Sequence, residues 1–319
     1  MRKSVVLLAA FALLAAAAAP VAAAEKLRLS YLRSDLHHLA AWVGLEKGFF
    51  KEEGLDVETA GIFNAGAEEM SAFASKSIDV GYLGMAPSVT GVANHAADVK
   101  AEALANAEGS AIVVRADSPL RQVKELAGKT VAIPGYGSVQ DFLLRRALEA
   151  AGLEAGAVKI IVVKPPEMIT ALESSQIDAF IAWEPHNTKA VTKGVGRVLI
   201  PSSQIWKDHP CCVVAFEGSV AHDRPAVVQA FLRAHAKATA FILANTDEAV
   251  RIGVQYTGMD EKTVRMALGN ITYRAELARA PVREYASYLG RLGYIKELDP
   301  DVILRTYLDP AGLVKDAKP

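Results

Sequence analysis

Cysteine is scarce in this chain. There are two, Cys211 and Cys212, and they are adjacent. A disulfide framework therefore cannot be what stabilises the fold. Neighbours in a chain rarely form a relaxed disulfide, so free thiols in a core are expected, with a strained vicinal disulfide as the alternative in an oxidising compartment. On a regular strand they would point to opposite faces. Neither sign of charge dominates: 35 Lys and Arg stand against 36 Asp and Glu, for a net charge of −1. No basic block occurs, which argues against a nucleic-acid partner. Beyond the N-terminal segment no apolar run reaches about 18 residues, so no further bilayer span is expected. The spacings H-E-x-x-H, G-x-S-x-G, H-x-x-x-H and C-x-x-C are all missing. Without them the sequence offers no familiar metal centre or serine nucleophile, and no cofactor is expected.

What is present begins with an export signal. Arg2 and Lys3 precede an uncharged apolar run from Ser4 to Ala24 that ends Ala22-Ala23-Ala24, followed by Glu25. A basic start, an apolar middle and a small-residue end predict a signal peptide over 1–24, cleaved after Ala24, and a mature protein in the periplasm. A membrane anchor is the alternative. The remaining length allows two domains of ordinary size.

A short motif then occurs twice: Ile78-Asp79-Val80-Gly81-Tyr82-Leu83-Gly84-Met85-Ala86-Pro87, and Ile177-Asp178-Ala179-Phe180-Ile181-Ala182-Trp183-Glu184-Pro185. Each follows a helix-like stretch and reads as a buried strand running into a Pro-marked loop. Ligands of α/β sheets bind at the carboxyl ends of strands, so two such ends suggest two similar lobes around a small molecule. Alternating strand and helix patterns predict mainly parallel sheets. Asn64 is placed to cap a helix carrying Ala67, Met70, Phe73 and Ala74, and Ser138 with Asp141 forms a capping-box pattern. From Arg224 onward the pattern is helical, and those helices are expected to pack on the first lobe. The lobes are thus expected at 25–111 with 215–319, and at 112–214. Crossings at Ala107–Ile112 and Val213–Gly218 would form a hinge.

Four segments carry a family resemblance: Glu46 to Val57, Ile78 to Pro87, Leu126 to Ala132, and Ile177 to Pro185. They resemble the nitrate/sulfonate/taurine class of periplasmic solute-binding proteins of ABC importers. The likeness runs from about Lys26 to Leu232. It implies an α/β, two-lobed periplasmic binding protein fold (type II-like), with a ligand cleft between lobes joined by two crossing segments. It also implies capture of a small sulfonate, taurine-like or related anionic or zwitterionic solute. Delivery would be to a permease and its ATPase, by a protein expected to be a monomer and not an enzyme.

The resemblance places the ligand against strand-end loops, with Ser34, His37, His38, Asn64, Gly66, Met85, Glu108, Tyr136, Ser138, Trp183, Glu184 and His186 as candidate contacts. Several of these loops open helices, whose free N–H groups and partial positive charge suit an oxyanion without a lysine. Gly135-Tyr136-Gly137 also reads as an ordinary strand-to-helix turn. His37 and His38 read as donors to an anion, as a metal ligand, or as an exposed polar loop. Trp183 offers an apolar wall. Glu184 and Glu108 read as partners for an ammonium group or as interlobe bridges, and Met85 reads more simply as packing. Two other functions share the fold. One is a metal- or cofactor-precursor-binding protein, for which His37, His38, His186 and Cys211 would have to converge. The other is an enzyme like the thiamine-pyrimidine synthases, whose cysteine-rich run is missing here, since Val213-Val214 follows Cys212.

Overall fold

A computed structural model describes residues 24–154 and 156–315; the expected signal segment lies outside them, apart from Ala24. Eleven strands build two sheets: β1 (Glu25–Leu32), β2 (Leu55–Phe63), β3 (Val80–Gly84), β4 (Val99–Glu108), β5 (Ser110–Arg115), β6 (Thr130–Ile133), β7 (Lys159–Val162), β8 (Ala179–Trp183), β9 (Gly196–Pro201), β10 (Pro210–Glu217) and β11 (Ile271–Thr272). The first sheet has the order β11-β4-β10-β3-β1-β2, the second β7-β6-β8-β5-β9.

Both sheets are mixed, which corrects the expectation of mainly parallel ones. β1, β2 and β3 run parallel, as do β6, β7 and β8. The strands that enter and leave each lobe, β4, β5, β9 and β10, pair antiparallel. A chain that crosses between lobes and returns must run against the βαβ direction at those points.

The first crossing falls at Gly109, between β4 and β5. The expected second crossing at Val213–Gly218 instead lies inside β10, paired on both sides within the first sheet. The chain returns through 202–209. The continuous apolar run Cys211 to Phe216 explains this, because a strand buried on both faces belongs in a sheet interior. The second sheet is therefore drawn from strands between Ser110 and Pro201.

The repeated Ile-Asp motif has one structural job in both lobes. Asp79 Oδ2 accepts the Arg28 backbone N–H at 2.8 Å, and Asp178 Oδ2 accepts that of Thr130 at 2.8 Å. Each aspartate thus ties the start of its strand to the neighbouring parallel strand. The two strands end on the same cleft, at Gly84 and Trp183.

The first lobe's core is aromatic where the long helix Pro225–Ala244 lies on the sheet. Phe231 stacks on Phe50 at 4.6 Å and meets Phe216 edge-on at 5.3 Å. His235 joins Tyr82 Oη at 2.8 Å and the Leu104 carbonyl at 2.9 Å. Later helices also reach the second lobe. Tyr285 of the helix Arg279–Arg291 packs on Phe142 at 4.3 Å, Arg146 pairs with Glu284, and Tyr294 donates to Asp141 Oδ2 at 2.7 Å. Among the described residues no helix is long and apolar enough to cross a membrane.

Candidate functional site

Three helices start at the cleft. The first-lobe helices Gly66–Ala74 and Met85–Ala93 begin beside Gly66, Ala67 and Gly84. The second-lobe helix Val139–Ala150 begins beside Ser138 and Gln140. The first N–H groups of a helix have no intrahelical partner and carry partial positive charge. Ser138 is the cap the sequence predicts: its Oγ accepts the Asp141 N–H at 3.1 Å. Asn64 is not a cap. The cap position falls to Ala65, and Asn64 donates instead to Glu68 Oε2 from its backbone and its side chain. The helix starts are closely set. A Cβ on Gly66 would lie 2.6 Å from Pro87 Cγ, and one on Gly84 would lie 3.2 Å from Val139 of the other lobe.

The walls are mostly apolar: Leu32, Pro87, Pro134 and Trp183, with exposed Tyr136 at the mouth. The Trp183 Nε1–H is buried without a protein partner. Among the described residues no lysine or arginine lines the cleft. The cavity holds about 50 Å³, room for a few water-sized groups.

The floor is polar and buried, and it is the part the sequence did not reveal. Asp35, His37, Cys211 and Cys212 all line it, each no more than 3 % exposed. His37 Nδ1 lies 3.4 Å from Cys211 Sγ and 3.8 Å from Cys212 Sγ, and the sulfurs are 3.9 Å apart. His37 Nε2 donates to the Gly109 carbonyl at 3.0 Å, and Asp35 Oδ1 accepts the His37 backbone N–H at 3.0 Å. The expectation that the two thiols face opposite ways fails. The β4–β10 pairing slips on either side of Cys212, and such a bulge breaks strand alternation.

Burial works against a charged His37, but Cys211 and Asp35 outweigh it and raise its pKa to about 9. Burial works against a Cys211 thiolate as well, yet the Cys212 thiol and the His37 ring hold it well below the usual thiol range. Burial and the adjacent Cys211 push Cys212 well above that range. Burial raises Asp35 to about 7. The floor thus favours the charged form of His37 and ionisation of Cys211, and disfavours ionisation of Cys212.

Of the sequence candidates, His37, Gly66, Tyr136, Ser138 and Trp183 are brought together on the cleft. The others stand elsewhere. Ser34 Oγ donates to the Thr257 carbonyl. His38 is fully buried, its Nδ1 accepting the Leu32 N–H at 3.0 Å, so the exposed-loop reading of His37-His38 does not hold. Met85 is buried against the Tyr307 hydroxyl. Glu108 Oε1 accepts the Asp208 N–H. Glu184 is buried and saturated by Thr188 N at 3.1 Å, Thr188 Oγ1 at 2.9 Å and Asn270 Nδ2 at 2.8 Å. His186 is buried behind Trp183, with neither ring nitrogen bonded in the protein.

Comparisons with known proteins agree with this architecture. Residues 22–254 match the NMT1-like family. The taurine-binding periplasmic protein of Escherichia coli K12 is 29 % identical over 201 residues, 62 % of this chain and 61 % of that one. The alkanesulfonate-binding protein SsuA of Xanthomonas axonopodis pv. citri, solved with MOPS, superposes with a TM-score of 0.76 at 20 % identity, covering 92 % of this chain and 98 % of that one. A ligand-binding component of an ABC-type import system from Staphylococcus aureus, solved with zinc, gives 0.78 at 18 %, covering 90 % and 97 %. The last two likenesses concern the fold alone. Named relatives are binding proteins. The chain belongs to the NMT1-like family and has the fold of the solute-binding proteins of ABC importers.

Proposed function

We propose that this protein captures a small organic oxyanion of the sulfonate class, taurine and short alkylsulfonates included, in the periplasm and delivers it to an ABC permease. The observation that carries the reading is the meeting of three helix N-termini, from both lobes, on one cleft without a lysine or arginine. Aligned N–H groups bind an anion without the desolvation cost of a buried ammonium or guanidinium. Trp183 supplies an apolar face for the organic part, and its free Nε1–H a further donor. Because Glu184 and Glu108 are engaged elsewhere, Asp35 is the one carboxylate in the lining among the described residues. An ammonium end is therefore not required of the solute, and a simple alkylsulfonate fits as well as taurine.

Calorimetry with taurine, an alkylsulfonate and nitrate tests this. Both sulfonates should bind, and Trp183→Ala should weaken the alkylsulfonate roughly tenfold to hundredfold, the worth of one large apolar contact. No affinity for either sulfonate, or an unchanged affinity in Trp183→Ala, would reject the reading.

A further inference from the structure

We propose that Cys211, Cys212 and His37 form a binding site for one thiophilic cation of the zinc(II) type on the floor of the cleft. The three ligand atoms form a triangle with edges of 3.4, 3.8 and 3.9 Å. Zinc bonds of about 2.3 Å to sulfur and 2.0–2.1 Å to nitrogen, set at tetrahedral angles, give a sulfur–sulfur edge of about 3.8 Å and sulfur–nitrogen edges of about 3.6 Å. The side chains already stand at coordination spacing, so a cation would draw in no backbone. The sulfur separation of 3.9 Å is far from the bond length of about 2.05 Å in a disulfide, and both cysteines are free.

The surroundings favour the ligand roles. A metal-binding histidine commonly donates its other ring N–H to a carbonyl, which fixes the tautomer and aims the free nitrogen at the metal. His37 does this through Nε2 to Gly109, leaving Nδ1 toward both sulfurs and, at 3.4 Å, Asp35 Oδ1, and a cation there would displace any proton on Nδ1. His38 also lies close to Cys212 and Asp35. However, its Nδ1 already accepts the Leu32 N–H, so its Nε2 carries the proton, 3.7 Å from Asp35 Oδ2 without a hydrogen bond, and offers no lone pair to a metal. All three ligands belong to the first lobe, two on β10 and one in the loop after β1. The site is therefore complete whether or not the second lobe closes. Two sulfurs and one imidazole select a soft or borderline cation over magnesium or calcium. The fourth position faces the cleft, where water or a donor atom of the solute would complete the tetrahedron. The inference does not depend on which solute the cleft takes.

The test uses mature protein reduced under anaerobic conditions, with two titratable thiols verified, and zinc(II) titrated against a chromogenic chelator. One equivalent should bind. Cys211→Ser and Cys212→Ser should each weaken it by at least about 100-fold, the upper range for losing even an outer-shell partner. A measurement on the unaltered protein guards against variants that misfold: X-ray absorption at the zinc edge should count two sulfurs at about 2.3 Å. Substoichiometric zinc in the reduced protein, undiminished binding in folded Cys variants, or a shell of nitrogen and oxygen alone would each overturn the proposal. Sulfonate calorimetry on chelator-treated protein separates the two readings. Sulfonate binding without zinc binding defeats the metal site only; zinc binding without sulfonate binding defeats the solute assignment only.

Discussion

Gly109→Ala tests how the crossing between lobes supports the cleft floor. Gly109 has φ of +82°, and a Cβ there would lie 2.3 Å from His37 Nε2 and 2.9 Å from Ile271 Cγ1. Two costs follow. Placing an L-residue in left-handed backbone costs roughly 1–2 kcal/mol. Ordinary contact would push the ring away by about an ångström, breaking the 3.0 Å bond from His37 to the Gly109 carbonyl. A hydrogen bond from a charged donor is worth about 1.5–3 kcal/mol. The sum is roughly 2.5–5 kcal/mol, which for a chain of this size lowers the melting temperature by roughly 5–20 °C. Because the displaced ring is His37, solute affinity at the floor should fall as well. Differential scanning calorimetry and ligand titration on the same preparation read both effects. A melting point within about 2 °C of the wild type, with unchanged affinity, would show that the floor tolerates the methyl group and that the argument from contact is wrong.

Glu184→Gln should behave as the loss of an interlobe clamp. Its amide cannot accept from Thr188 N, Thr188 Oγ1 and Asn270 Nδ2 together, so stability should fall by about 1.5–3 kcal/mol. Any affinity change should be alike for taurine and an uncharged-tail sulfonate; a charge-selective change with unaltered melting would refute this. Acid stability should depend on His235, which burial holds down to about 4 against 6.5 for an unperturbed ring. The unfolded chain takes up the proton first on acidification. The contribution is therefore fully present above about pH 6.5 and lost as the pH falls toward about 4, for about 3 kcal/mol. His186, likewise held down to about 4 by burial, contributes over the same window, so His235→Gln should reduce the slope in denaturant unfolding and not abolish it, and an identical slope in the variant would refute it.

Much of the fold was legible because it rests on local patterning. The two Ile-Asp strands, the Ser138 cap and the helical pattern from Arg224 onward are set by spacing, and spacing is visible in one dimension. The convergence of helix starts on the cleft followed from the rule that strand ends face the ligand. The strand order of each sheet and the true return point at 202–209 depended on which strands pair, and pairing partners lie up to about 165 residues apart. Candidate carboxylates illustrate the same limit. Glu184 sits at a strand end, as a ligand contact would, but Thr188 and Asn270 claim it, and Asn270 carries no sequence signal of that role. The cleft floor is the clearest case. The sequence determined that two thiols are neighbours, that they are buried, and that they cannot staple the fold. It could not determine that a slip in the β4–β10 pairing turns both toward His37, 174 residues away along the chain from Cys211. Strand alternation is a property of one chain segment, whereas a bulge is a property of two strands in register, and only the assembled sheet fixes that.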